Sequence, residues 1–73
     1  MSAFSNGLEV RKLREKLRLN QTQFWSRVSV NQSAASRYET GREIPVTVQH
    51  LLTIAFGTEK QAIMLVRSMR NEK

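Results

Sequence analysis

The chain has 73 residues, with 12 lysines and arginines, 6 acidic residues and a formal net charge of +6 at pH 7. This length allows one domain, residues 1–73, whose core is small enough that a helical bundle is the easiest stable architecture. The lack of cysteine excludes disulfides and thiolate metal sites, and a single histidine, His50, cannot hold a metal alone. The charge favours a polyanionic partner such as DNA, RNA or an anionic membrane.

The start of the chain lacks the basic segment and apolar run that mark a signal peptide. No apolar stretch approaches the roughly 18 residues that a membrane span requires. We therefore expect a cytoplasmic, nucleoid-associated protein with no membrane partner, no metal and no cofactor.

Caps and apolar spacing predict five helices and no strands. The first helix covers about residues 8–17. Asn6 is in position to cap it, and Glu9, three residues further on, is in position to return the bond as the partner in a capping box. Its inner face carries three apolar residues at three- and four-residue spacing, namely Val10, Leu13 and Leu17.

The second helix covers about residues 21–28, with Asn20 and Gln23 as the two members of a capping box. Phe24 and Val28 mark its inner face.

The third helix covers about residues 32–39. Asn31 caps it, and Gly41 helps to end it, because glycine readily takes the left-handed conformation. Ala35 and Tyr38 face inward. Three short helices separated by turns of a few residues are typical of a compact helical DNA-binding domain.

The fourth and fifth helices cover about residues 48–56 and 59–69. Thr47 is the predicted cap of the fourth, and Thr58 with Gln61 forms a capping box at the start of the fifth. The predicted core-facing residues are Leu51, Leu52 and Ala55 on the fourth helix and Ala62, Leu65, Val66 and Met69 on the fifth.

Two further apolar residues of the fifth helix lie off its core-facing side. Ile63 flanks that side, and Met64 points almost opposite to it on a helical wheel. Surplus apolar surface of this kind often marks an interface, so we expect a homodimer contact at Ile63 and Met64.

Two motifs in the centre of the chain carry a family resemblance. LNQ at 19–21 opens the second helix, and SRYETG at 36–41 closes the third. At this spacing, after an arginine-rich first helix, the sequence resembles the lambda-repressor-like Xre/Cro family of helix-turn-helix regulators over about residues 7–57. The resemblance implies an all-α, compact five-helix domain with the helix-turn-helix at helices 2 and 3. It also implies a transcriptional repressor that binds double-stranded DNA as a homodimer on an inverted repeat.

The outer face of the third helix suits entry into a major groove, because its side chains are polar, uncharged or positive. No acidic residue occurs on this face before Glu39. The residues expected to contact bases are Asn31, Gln32, Ser33, Ser36 and Arg37. Asn31 has a competing role, since it also caps the helix.

The resemblance also implies backbone contacts and one structural ion pair. Gln21 matches a phosphate-binding position, and Thr40 and Arg42 match positions that touch the sugar-phosphate backbone. Arg14 and Glu39 match a pair that forms a partly buried salt bridge between the first and third helices.

The sequence departs from the family pattern at two turns and at one packing interface. The family commonly has glycine where this chain has Arg18 and Ser29, and a positive φ costs a residue with a Cβ about 1 kcal/mol. This leaves open whether the turns are reshaped. Trp25 replaces a small residue and Ala35 a branched one, so large and small have exchanged places between helices 2 and 3.

Three other functions remain open from the sequence alone. An antitoxin would bind DNA and also a toxin, a protein-interaction module would keep the fold without binding DNA, and the last option is RNA binding. Single-stranded RNA is disfavoured because Phe24, Trp25 and Tyr38 are expected in the core and not on a stacking surface. An enzyme is not expected, since no nucleophile–base pair, metal cluster or glycine-rich phosphate loop is present.

Overall fold

The computed structural model describes residues 4–71, which form five α-helices and no strand within that range. The all-α helix-turn-helix architecture expected from the sequence is confirmed. The helices are α1 (Gly7–Lys16), α2 (Gln21–Trp25), α3 (Gln32–Glu39), α4 (Val46–Phe56) and α5 (Glu59–Asn71). The predicted second helix is shorter than expected, because its last part, Ser26–Val28, is a 3-10 turn.

Asparagine side chains start the first three helices, as predicted. Asn20 Oδ1 accepts from the Gln23 backbone N–H at 2.7 Å, and Gln23 Oε1 accepts from the Asn20 N–H at 2.9 Å, which completes the box. Asn6 accepts from two backbone N–H groups of α1, but Glu9 does not complete a box there. The Glu9 carboxylate instead lies 3.6 Å from Lys12 Nζ.

The predicted cap of α4, Thr47, is wrong. The helix begins at Val46, directly after Pro45, and no side chain caps it. Proline has its φ fixed near the helical value, and its carbonyl accepts the Gln49 N–H at 3.0 Å, so the first turn starts two residues earlier than expected. At the next helix start the prediction is confirmed, because Thr58 and Gln61 exchange bonds of 3.0 and 3.1 Å.

The core lies between α1, the helix-turn-helix and the inner face of α4. Phe24 stacks on Phe56 with ring centroids 4.0 Å apart and planes 9° from parallel, which joins α2 to the end of α4. The Arg27 guanidinium lies 5.6 Å from the Phe56 ring centroid on the outside. The buried apolar residues are Phe4, Val10, Phe24, Trp25, Val28, Ala35, Ile44 and Leu52.

Several residues predicted to face the core are exposed. Leu17 is exposed because α1 ends at Lys16 and the chain turns away there. On α4, Leu52 is buried, but Leu51 is 44% exposed and Ala55 is also exposed. A helical wheel gives the angles between side chains, but it does not show how much of a helix its neighbours cover.

Helix α5 packs against α4, yet none of its residues is buried. Ala62 and Leu65 are half-buried, whereas Val66 and Met69, predicted to help close the domain, are exposed. One neighbouring helix covers only one side of α5, and this leaves its other apolar side chains on the surface.

The turn before the helix-turn-helix and the turn within it both keep the left-handed conformation without glycine. Arg18 has φ 60° and Ser29 has φ 62°, so neither turn is reshaped to avoid the strain. Gly41, at φ 120°, follows α3 as predicted. None of the helices in the described range combines the length and apolar character needed to cross a membrane.

Candidate nucleic-acid interface

The carboxylate of Glu39, at the last residue of α3, is the structural centre of the helix-turn-helix unit. Its side chain is 1% exposed and forms the implied salt bridge with Arg14. Arg14 Nε donates to Oε2 at 2.8 Å and Nη2 donates to Oε1 at 2.9 Å. The remaining guanidinium nitrogen, Nη1, donates to the Leu19 carbonyl at 2.8 Å. One arginine therefore ties α1 to α3 and to the turn before α2.

Two residues of α2 complete the coordination of this carboxylate. The buried Trp25 indole Nε1 donates to Glu39 Oε2 at 2.7 Å, and Gln21 Nε2 donates to Oε1 at 3.2 Å. Each carboxylate oxygen thus accepts two hydrogen bonds. We call Arg14, Gln21, Trp25 and Glu39 the Glu39 cluster. Since its donors lie on α1 and α2, the cluster fixes the orientation of α3 relative to both helices.

Glu39 and Arg14 are both ionised at neutral pH. Burial alone would raise the pKa of Glu39, but hydrogen bonds from Arg14, Trp25 and Gln21 outweigh burial and hold that pKa below its ordinary value. The hydrogen bond to Glu39 raises the pKa of Arg14 in turn. The acidic residue of α3 is therefore buried and neutralised by its partner, so it does not oppose an anion at the outer face.

The structure brings four of the predicted base-contacting residues onto one exposed surface beside Gln21. Together they line a shallow depression of about 500 Å³. We call this set the recognition surface, and its members are Gln21, Gln32, Ser33, Ser36 and Arg37. Within residues 4–71, no ion pair or side-chain hydrogen bond ties up Gln32, Ser33 or Arg37.

Gln21 has a dual position that the sequence did not predict. It is half-buried, and its amide nitrogen is bonded to Glu39, yet the side chain also lines the recognition surface. An amide nitrogen carries two hydrogens, so one donor remains for a phosphate. The signal for its internal role was only its distance of one turn from Trp25, which was not sufficient to identify a shared acceptor.

Asn31 and Thr40 are partly occupied within the protein. Asn31 Oδ1 accepts from the Ala34 N–H at 2.8 Å as the cap of α3, which leaves its NH₂ group for a base. The Thr40 hydroxyl lies within bonding distance of the Ser36 and Arg37 carbonyls, at 2.9 and 3.1 Å. The Thr40 backbone N–H also points to these carbonyls. Both of its donors are thus directed into α3, and its expected phosphate contact gains no support from the geometry.

Arg42 lies beyond the C-terminal end of α3, next to a second, smaller depression of about 260 Å³. Arg37 lines both depressions, so it stands on the ridge between them. Arg42 is exposed, but Glu43 beside it lowers the local positive potential, a neighbour that the sequence interpretation did not weigh.

The RsaL-like helix-turn-helix domain family model matches residues 11–55, from the second turn of α1 to the last turn of α4. No curated protein and no solved structure matches the chain significantly. The match supports a helix-turn-helix regulator with DNA as its partner, but it does not extend to the narrower Xre/Cro resemblance. Since it covers more than half of the chain and includes the whole Glu39 cluster and recognition surface, the chain belongs to the RsaL-like helix-turn-helix domain family.

Proposed function

We propose that the protein is a sequence-specific transcriptional repressor that binds double-stranded DNA as a homodimer on an inverted-repeat operator. The observation that carries the proposal is the recognition surface: uncharged or positive side chains of α3 are exposed together, while Glu39 is buried beneath them. We further propose that α3 docks as in Xre/Cro regulators, with its first turn deepest in the major groove.

The chemistry of the recognition surface suits base edges. Glutamine can donate to and accept from adenine, and arginine can pair with guanine or with a phosphate. Gln32 is in the first turn of α3, and Arg37 is more than one turn further on. Serines at positions 33 and 36 are small, which allows the helix backbone to approach the base pairs closely.

Backbone contacts are proposed for Gln21, Arg42 and Thr40, and the contact of Thr40 rests on the Xre/Cro resemblance alone. They would set the position of α3 without specifying sequence. The net charge of +6 adds a long-range attraction to the duplex.

The homodimer is proposed from the exposed apolar side chains of α5. Ile63 is 43% and Met64 60% exposed, and neither has a neighbour from another helix that buries it. Two recognition helices on one face of the duplex need a spacing of about 34 Å, which a two-fold dimer provides.

An antitoxin is a second candidate function, favoured by the same α5 surface. A toxin bound there would cover the exposed apolar side chains and leave the recognition surface free. A toxin gene next to the gene for this chain, with a complex that survives gel filtration, would favour this function over a self-contained repressor.

Selection from a random duplex pool, followed by anisotropy titration, tests the proposal. We expect an enriched inverted repeat that is bound far more tightly than a scrambled duplex, with affinity falling steeply as salt rises. Ser36→Glu puts a carboxylate on the recognition surface and should abolish this binding. The matched control, Ser68→Glu, makes the same change on exposed α5 and should retain it. No enrichment, or equal loss in both variants, would contradict the proposal.

A further inference from the structure

We propose that α5 pairs with α5 of a second copy in an antiparallel orientation, with Ile63 against the partner's Val66 and Glu59 against the partner's Arg70. The inference rests on the proposed homodimer and deepens it by assigning orientation and register. It follows from the positions of four exposed residues on one helix.

The spacing of these residues matches the seam of a two-helix coiled coil. Glu59, Ile63, Val66 and Arg70 follow one another at intervals of four, three and four residues, all within α5. At 100° per residue they fall within an arc of about 60°. We call these four residues the α5 seam.

The α5 seam is open to solvent. Ile63, Val66 and Arg70 line a shallow, mostly apolar depression of about 400 Å³, and Glu59 with Ile63 lines the adjoining one. Arg67 borders both depressions, and Lys60 and Met64 border the second. The side of α5 that packs on α4 carries the half-buried Ala62 and Leu65, which lie on a neighbouring part of the wheel. A partner can therefore reach the seam without displacing α4.

The charges at the two ends of the seam favour an antiparallel orientation. In a parallel pair, Glu59 would face the partner's Glu59 and Arg70 the partner's Arg70, which places like charges together at both ends. In an antiparallel pair, a two-fold axis between Ile63 and Val66 brings Glu59 against the partner's Arg70, and the symmetry repeats this contact. Within residues 4–71 neither charge has an ion-pair partner in its own chain.

Met64 lies outside the seam. It is about 130° from the centre of the arc, on the far side of Lys60 and Arg67. Of the two residues on which the proposed homodimer rests, the seam includes Ile63 and omits Met64, so the register narrows the contact to Ile63. This difference supplies a control substitution on the same helix.

The seam is short, since Glu59 and Arg70 are separated by about 16 Å along the helix. A contact of this length buries less than the roughly 1,200 Å² of a stable interface, so free protein should exchange between monomer and dimer. An operator that holds two copies side by side raises their effective concentration and favours pairing. Recognition of an inverted repeat is then coupled to the α5 seam.

A charge-exchange series measured by sedimentation equilibrium tests the register. Glu59→Arg and Arg70→Glu should each raise the dimer Kd about tenfold, because two attractive pairs become repulsive ones. The double variant, Glu59→Arg with Arg70→Glu, should return the Kd to near that of the wild type. Ile63→Glu should leave the chain monomeric, and Met64→Glu should change the Kd little.

Circular dichroism melts of the same variants report the stability of α5, whereas sedimentation reports the pairing of two copies. Glu59 is in the first turn and Arg70 in the last, so both substitutions oppose the helix dipole. If the charges acted only through the dipole, the double variant would be the weakest dimer. A double variant that is weaker than either single variant, a wild type that stays monomeric at high concentration, or equal effects of Ile63→Glu and Met64→Glu would overturn the proposal.

Binding to a single half-site distinguishes this failure from failure of the proposed function. Ile63→Glu should bind an isolated half-site as well as the wild type does, and should lose only the cooperative gain on the full inverted repeat. Seam variants without effect, together with normal half-site binding, would overturn the register alone. Absence of half-site binding in the wild type would overturn the proposed function.

Discussion

The indole N–H of Trp25 donates a 2.7 Å hydrogen bond to Oε2 of Glu39, and both side chains are almost fully buried. A buried indole needs an acceptor and a buried carboxylate needs donors, so each residue satisfies the other. The bond also joins α2 to the end of α3. Trp25 stands where Xre/Cro regulators usually have a small residue, and it therefore adds a polar connection as well as volume.

Replacement of Trp25 by phenylalanine should expose the contribution of this bond. Trp25→Phe keeps an aromatic ring but removes the donor, and we expect a loss of about 1–3 kcal/mol in the free energy of unfolding. Urea denaturation measures the loss. A double-mutant cycle with Glu39→Gln separates the hydrogen bond from the smaller ring volume, and a coupling energy near zero would show that the bond contributes nothing.

Local signals in the sequence predicted the helix starts well. The Asn20–Gln23 and Thr58–Gln61 boxes and the Asn31 cap form as expected, because each pairs groups only three residues apart. Family resemblance supplied the Arg14–Glu39 pair, which spacing alone could not have predicted across 25 residues.

No comparable local signal exists for contacts that depend on how the helices meet. The bonds from Gln21 and Trp25 to Glu39 cross 18 and 14 residues of chain. The exposure of Leu51 depends on how far neighbouring helices cover α4, which its own periodicity does not encode. For the same reason, the recognition surface could be predicted as a set of residues, but not with Gln21 partly committed to the protein interior.

Stability should depend on acid pH through Glu39. Folding lowers the pKa of this carboxyl, so its contribution is complete above the ordinary value of 4.5 and is lost as pH falls towards the lowered value. The difference in unfolding free energy between wild type and Glu39→Gln should therefore be largest near neutral pH and shrink below pH 4.5. Urea titrations of both proteins across this range measure it. A difference that grows on acidification would reverse the assigned sign.

Gly7 should tolerate no side chain, although alanine normally stabilises a helix. A Cβ at this position would overlap the Tyr38 carbonyl oxygen, so α1 would have to move away from α3. We expect Gly7→Ala to cost about 2 kcal/mol or more, against the usual gain of 0.5–1 kcal/mol for this change within a helix.

Gly41→Ala is the appropriate comparison for Gly7→Ala. Its added Cβ would meet no atom within 4 Å, and the cost there is the strain of φ 120° alone. Thermal melts of the two variants therefore compare the cost of a packing clash at Gly7 with the cost of backbone strain at Gly41. Stabilisation by Gly7→Ala would show that α1 does not approach Tyr38 as closely as described.

Gln32 should determine sequence preference, whereas Arg42 should determine affinity in general. Gln32 lies in the first turn of α3 with its side chain exposed on the recognition surface, where it can pair with adenine through two hydrogen bonds. Gln32→Ala should cost about 1–3 kcal/mol on the selected operator and almost nothing on random duplex. Arg42→Ala should weaken binding to both duplexes alike and reduce the salt dependence.

Anisotropy titrations of the two variants on both duplexes measure the specificity ratio. The structure gives a reason to expect a clean separation, because Gln32 forms no side-chain bond within residues 4–71 and its loss should leave the Glu39 cluster intact. Unchanged melting temperatures would verify this. If Gln32→Ala keeps the specificity ratio of the wild type, α3 does not enter the groove by its first turn. The contacts of Trp25 with Glu39 and Tyr38 of α3 would then be the first feature to test, with Trp25→Phe on the same two duplexes.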